Sequence, residues 1–282
     1  SLDSKDEFSN LVRTLIPKHL PTAYLEGYLD VVALTSSLPW PKRPAAIFTC
    51  ASWNSDEVFK MWAAEKSECG TPLVIGQHGG NFGMGLWEAS EEHQIAISDR
   101  FLTWGWTDSN QPKITPIGNL KGFGKKLAID TTGNALLVEM AMPRTSYRMF
   151  SFPVGAGQWQ DYFADQCRFV EALPLTLRDQ VLVRLNRSDF GHCQKQLWQE
   201  HFPNIQLETG EQTMALLMSK ARLYISTYNA TTYLESMSLN FPTIMFWNPK
   251  HWELRESAIP YFELPKSVGI FHETPEMAAR QM

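Results

Sequence analysis

A polar junction held between two apolar runs constrains this chain more than any other feature. Ala221-Arg-Leu-Tyr-Ile225 reads as a buried strand and Phe241-Pro-Thr-Ile-Met-Phe246 as the next. Between them, Ser226-Thr-Tyr-Asn-Ala-Thr-Thr-Tyr-Leu-Glu235 opens a short helix. Strand, helix and strand in this succession form the unit of a parallel α/β sheet. The free N–H groups and positive dipole end of such a helix attract anions. Open α/β sheets bind ligands at the carboxyl ends of their strands. Ser226, Thr227, Tyr228, Asn229, Thr231 and Thr232 crowd hydroxyl and amide groups at that place, and Glu235, one turn further, is placed to reach a ribose hydroxyl pair. This is the pattern of a nucleotide-sugar site. The plain alternative is a capped helix whose Ser226, Thr227 and Asn229 satisfy backbone donors. One cap needs one such residue, so the surplus favours a ligand.

The alternation extends along the chain. Ala45–Thr49 and Pro72–Gly76 read as strands, with a helix over Asp56–Cys69 ended by Gly70. Phe8–Leu34 reads as helical. A second series follows: strands over Ala135–Met140, Gln180–Leu185, Ile205–Glu208 and Ser267–Phe271, and helices over Gln158–Leu173, Cys193–Glu200, Met214–Ser219 and from Glu276. The glycine-bearing stretch Pro116–Gly124 suggests a boundary, giving domains over 1–125 and 126–282. The first series shows two clear strands, fewer than a Rossmann-like half needs. With no initiator Met, this suggests that an N-terminal part of the natural protein is absent.

Composition narrows the classes. At 282 residues, 44% apolar and 12% aromatic, the chain can build real cores. A net charge of −5 gives no basic footprint for nucleic acid. No apolar run approaches the ~18–20 residues of a membrane span, and no signal peptide is visible. Cys50, Cys69, Cys167 and Cys193 lie apart without a CxxC pair and read as reduced thiols of a cytosolic protein. No metal set, Walker A, GxGxxG, HExxH or GxSxG pattern appears.

Other candidates sit at strand ends. Gln77-His78-Gly79-Gly80 leaves a strand into a glycine-rich loop. Glycines let backbone N–H groups approach a ligand, and a His there is a candidate base or phosphate partner. The alternative is a His bonded only to loop backbone. Asp56 follows the neighbouring strand and is a candidate nucleophile or base, although a helix N-terminal carboxylate explains it fully. Glu26, Asp99 and His93 are weaker candidates. Trp104-Gly-Trp106 suits a sugar wall or a core. Arg144, Tyr147 and Arg184 follow strands of the second series and suit a donor phosphate or a surface ion pair. Trp247–Arg255 is a candidate cover for a base or sugar.

These stretches resemble a family. Asn54–Glu65, Ile75–Gly80, Ser98–Trp106, Ser226–Glu235 and Trp252-Glu-Leu-Arg255 are similar to the transferases of bacterial O-antigen and surface-carbohydrate clusters, over about Pro21 to Ala279. The resemblance implies a GT-B architecture: two Rossmann-like domains facing a cleft, the first incomplete in this chain, with the donor held mainly by the second. It implies glycosyl transfer from a nucleotide-sugar, which is substrate and not cofactor, to a surface-polysaccharide, O-antigen or lipid-linked acceptor. A cytoplasmic location follows, with peripheral contact at the inner membrane face left open. A more distant likeness to β-Kdo transferases points to CMP-Kdo or a related CMP-ulosonic acid. A likeness to polyol-phosphate transferases departs at Gln77, where that group carries Trp before the His. The opposing class is a nucleotide- or carbohydrate-binding module that keeps the fold without chemistry.

Overall fold

The computed structural model describes residues 6–119, 127–145 and 153–282. The chain divides into two compact units. One comprises Ser1–His78, Gln94–Leu102 and Asn110–Thr115, the other Gly79–His93, Thr103–Ser109 and Pro116–Met282. A boundary at 125/126 lies outside the described residues.

In the smaller unit, α1 (Glu7–His19) and α2 (Tyr28–Ser37) replace the single helical stretch over Phe8–Leu34, with Asp6 accepting the Phe8 and Ser9 amides at the start of α1. The sheet contains β1 (Ile47–Thr49), β2 (Leu73–Gly76), β3 (Arg100–Thr103) and β4 (Ile114–Pro116), in that order. β1 pairs with β2 and β2 with β3 in parallel. Two of these strands are beyond the two that the sequence pattern marks. Between β1 and β2 run a single turn, α3 (Ser52–Ser55), and α4 (Glu57–Glu68), which packs on α2. The helix α5 (Ala89–Ile97) precedes β3.

The larger unit is a doubly wound sheet. Its elements are β5 (Asn134–Val138), α6 (Trp159–Ala172), α7 (Leu175–Arg178), β6 (Val181–Arg184), α8 (Gln194–His201), β7 (Gln206–Glu208), α9 (Met214–Met218), β8 (Ala221–Ser226), α10 (Thr231–Ser238), β9 (Thr243–Phe246), α11 (Ile259–Ser267), β10 (Phe271–His272) and α12 (Pro275–Gln281). The strand order is β10-β9-β8-β5-β6-β7, with every pairing parallel. Read from the other edge, this is the 3-2-1-4-5-6 order of dinucleotide-type folds, and the order reverses between β5 and β8.

The central strands are buried on both faces, as all-parallel sheets require, and Leu136, Leu137, Val181, Val183, Ile225 and Met245 are fully enclosed. Each large side chain so enclosed contributes about 1.5–3 kcal/mol. On α6, Trp159, Tyr162, Phe163, Gln166, Cys167, Phe169 and Val170 are buried at helical spacing. Phe169 stacks on Phe246 with ring centroids 5.0 Å apart.

Two sequence expectations are corrected. The apolar run Ser267–Phe271 is mostly the cap that closes α11, which ends at Ser267: Gly269, at φ +74°, lets the Ile270 amide reach the Pro265 carbonyl at 2.8 Å and stops the helix. Only Phe271 and His272 pair with β9. The helix α10 begins at Thr231, because Ser226 still belongs to β8 and Thr227–Ala230 form the turn between them.

Candidate functional site

The switch point between β5 and β8 falls at the polar junction, with Val138 and Ser226 as register partners. Thr227 Oγ1 donates to the Val138 carbonyl at 2.7 Å, and the Tyr162 hydroxyl lies 2.7 Å from the same oxygen. Tyr162 also accepts the Met140 amide at 2.9 Å. A side chain of α6 therefore ties the two strand ends together. Burial, and then the charge of Glu139, hold the Tyr162 phenol well above its usual pKa.

Much of the junction's polarity is internally satisfied. Ser226 Oγ donates to the Tyr228 carbonyl at 3.0 Å. The Tyr224 and Tyr228 hydroxyls meet Thr232 Oγ1 at 2.6 and 2.9 Å. Thr231 Oγ1 accepts the Gly80 amide at 3.1 Å. Asn229 is 1% exposed, and its Oδ1 accepts the Tyr233 hydroxyl at 3.0 Å. Its Nδ2 makes no hydrogen bond among the described residues. Glu235 is half-buried on α10.

Arg184, at the end of β6, forms an ion pair with Glu208, its Nε 3.6 Å from Oε2 and beyond hydrogen-bond reach. Glu208 instead accepts the amides of Gly210, Glu211 and Gln212 at 2.7–3.0 Å. The Arg184 charge is felt at Tyr228, whose phenol burial otherwise drives upward. A guanidinium with unspent donors at the strand ends suits an anion. Arg144 lies at the mouth of a different space, a groove of about 1,010 Å³ between α6 and α8 where Trp159 stacks on His192 at 3.9 Å. Arg144 and Arg184 thus line different places. Tyr147 lies outside the described residues.

The glycine-rich loop serves the junction. A Cβ on Gly80 would stand 2.3 Å from the Ala230 carbonyl oxygen, so only glycine allows the loop to lie there. Gly79 sits beside Thr231 as well. Arg255 locks the same loop. Its Nε and Nη2 each donate to the Gly85 carbonyl at 3.1 Å, and Nη2 reaches Glu91 Oε1 at 2.7 Å. Glu91 also accepts the Gly83 amide, and burial raises its pKa against the pull of Arg255. Trp106 packs on Gly83, with the Arg255 guanidinium 5.8 Å from its ring centre.

Between the loop and the strand ends lies a cavity of about 350 Å³, lined by Asn81, Trp87, Gln158, Asn229, His251 and Glu253 among others. Of these, Asn229 belongs to the predicted set and His251 and Glu253 to the predicted cover Trp247–Arg255. Asn81 lies within the glycine-rich loop and Gln158 at the start of α6, and Trp87 carries no sequence signal of its own.

Of the acid–base candidates, Glu26, Asp56, His78 and Asp99 lie in the smaller unit and His93 in the larger. Asp56 caps α4, Oδ1 accepting the Phe59 amide at 2.9 Å. Asp99 Oδ2 accepts the Leu73 amide at 2.7 Å. One oxygen of each carboxylate is bonded to backbone, which gives each a structural task. Glu26 and His78 are exposed, and Gln77 is buried at the end of β2 with its amide bonded to the Leu102 carbonyl at 2.8 Å. His93 is exposed on α5. Among the described residues no group of His, Cys, Asp and Glu is arranged to hold a metal, and no helix is long and apolar enough to cross a membrane.

Among solved structures, the chain is similar to the pneumococcal O-GlcNAc transferase GtfA, crystallised in complex with UDP and GlcNAc, at 14% identity and a TM-score of 0.44. That match covers 77% of this chain and 44% of the other, so this chain spans less than half of that neighbour's length. No curated protein sequence matches the chain. The LIC12162 family transferase pattern matches residues 2–282, almost from end to end, and the chain belongs to that transferase family.

Proposed function

We propose that this chain is a GT-B-type glycosyltransferase that takes its sugar from a nucleotide-sugar, with the donor held by the larger unit. The observation that carries the reading is the strand order, whose switch point coincides with the junction Ser226–Glu235. Ligands of open α/β sheets lie at such points. Membership of a transferase family supports group transfer. The resemblance to surface-carbohydrate enzymes supports a glycan acceptor of that class.

In this reading Arg184 faces the donor phosphates and stabilises the charge that grows on them as the glycosidic bond to phosphate breaks. Asn229 Nδ2 and Glu235 contact the sugar and ribose. His78 is the proposed base for the acceptor hydroxyl. Asp56 and Asp99 each have one carboxylate oxygen bonded to a backbone amide, and this reading ranks them after His78. One observation favours the second reading, a binding module without chemistry: most hydroxyls of the junction are already satisfied within the protein. Release of free nucleotide in the presence of acceptor separates the two.

Calorimetric titration with CMP, UDP and GDP tests the donor site. A pyrimidine nucleotide is expected to bind, and Arg184→Ala to weaken it roughly ten- to hundredfold, the scale of a lost charged hydrogen bond. The assignment fails if none of the three binds the wild-type chain.

A further inference from the structure

We infer that the cavity of about 350 Å³ beside Asn229 is a subsite for a neutral pyranose stacked on Trp87, and that it does not take an acidic sugar. The inference rests on the donor reading above and names the class of sugar within it.

Three observations carry it. First, Trp87 is 69% exposed and forms one edge of the cavity. Its segment is nevertheless fixed: the Leu86 amide donates to the Glu253 carbonyl at 2.9 Å, and Gly85 bridges Leu254 in antiparallel fashion. An exposed indole on a fixed backbone offers a flat apolar surface with a negative π cloud. The polarised C–H face of a pyranose ring matches that surface.

Second, the polar groups around it are of both kinds. Asn229 is buried with Oδ1 held by Tyr233, which leaves its Nδ2 as a donor. Gln158 Oε1 accepts the Gly155 amide at 3.0 Å, which leaves its Nε2 as a donor. Asn81 Nδ2 donates to Glu88, which leaves its Oδ1 as an acceptor. The exposed Glu253 carboxylate adds acceptors. Sugar hydroxyls donate and accept at once, so a mixed set of amides suits them.

Third, the charge has the wrong sign for an acid. Among the described residues no Arg or Lys lines the cavity; its one basic side chain is the imidazole of His251, and Glu253 is its carboxylate. Arg255 is turned away to Gly85 and Glu91. The carboxylate of an ulosonic acid would meet Glu253 with no guanidinium to pair with, and such a repulsive element discriminates between substrates.

Saturation-transfer NMR on the purified chain tests this, using methyl glucoside, methyl galactoside and methyl mannoside as neutral probes and Kdo as the acidic one, each with and without the pyrimidine nucleotide. At least one hexoside is expected to bind and Kdo to bind at least tenfold more weakly. Trp87→Ala should weaken the hexoside about tenfold, the scale of one lost aromatic contact, while the exposed position leaves folding intact. Gln158→Ala should weaken it less. Kdo binding as tightly as the best hexoside overturns the inference, as does hexoside binding that is unchanged by Trp87→Ala. Nucleotide binding without any hexoside binding overturns it too while leaving the donor reading in place. Hexoside binding without nucleotide binding supports the sugar subsite and removes the donor reading.

Discussion

Replacing Glu139 by glutamine is expected to flatten the pH dependence of stability. Glu139 stands just past β5 and is buried. Trp198 Nε1 donates to its Oε1 at 2.9 Å. Among the described residues its Oε2 has no hydrogen-bond partner, and neither has Oε1 of Gln166. Burial lifts the Glu139 carboxyl from 4.5 to about 8, against the opposing pull of Trp198 and Gln166. The folded protein therefore keeps a proton that the unfolded chain gives up. Below pH 4.5 both states hold it and the stability is complete; as pH rises towards about 8 only the unfolded state ionises, and stability falls. The full loss is roughly 5 kcal/mol, of which about 3.5 kcal/mol falls between pH 5 and pH 8. In the variant Glu139→Gln, the side-chain amide would keep an acceptor for Trp198 and supply an N–H where Oε2 needs a proton. Urea denaturation at pH 5, 6.5 and 8 reads the difference. The wild type should lose about 3.5 kcal/mol more than Glu139→Gln across that range. Parallel losses in the two proteins would show that Glu139 is ionised in the fold and refute the reasoning.

Two further outcomes test the frame of the site. Gly80→Ala places a methyl where the Ala230 carbonyl stands 2.3 Å away, so thermal or urea unfolding should register about 3 kcal/mol of destabilisation, and an unchanged midpoint would mean the loop does not rest on the junction. Asp56→Ala should cost about 1 kcal/mol, as loss of a helix cap does, and leave turnover within about twofold, whereas His78→Ala should lower turnover by about 10²-fold. Nucleotide release in the presence of acceptor reads the rates, and the reverse ranking would return Asp56 to the reacting centre.

The sheet of the larger unit is readable in the sequence because its strands are enclosed on both faces. Ala135–Val138 and Val181–Val183 are continuous apolar runs, and few other structures need them at that length. β3 and β4 are harder. Arg100 and Pro116 break the apolar pattern, and an edge or terminal position tolerates such residues. The run after Ser267 misleads for a different reason. Val268-Gly-Ile-Phe271 has strand composition, yet Gly269 adopts the left-handed conformation that closes a helix, and residue type does not reveal which use a glycine has. Strand order is beyond any local pattern, since the pairing of β5 with β8 joins segments that α6, β6, α8 and β7 separate.

At the site, the density of hydroxyls locates the place but not the contacts. Thr227 looks like a ligand group until Tyr162 and the Val138 carbonyl are seen to consume it, and those partners lie far off in the sequence. Glu139 reads as one polar residue in an apolar strand run; that mismatch is the one local signal that a buried carboxyl sits there. The bolt of Thr227, Val138 and Tyr162 also has a consequence for binding. It closes the gap between the two strand ends themselves, so a ligand at this switch point cannot insert between β5 and β8. It must lie above them, where Asn229 Nδ2 and Arg184 still have donors to give. The Gly80 amide of the glycine loop is already spent on Thr231. In the proposed donor reading the loop would contribute shape and the Trp87 face rather than a cradle of amides, and anion recognition would rest on the Arg184 guanidinium. That division separates the two expected effects: Arg184→Ala should change nucleotide affinity and leave sugar binding alone, and Trp87→Ala should do the opposite. Loss of both affinities in either variant would mean that the cavity and the strand ends form one undivided site.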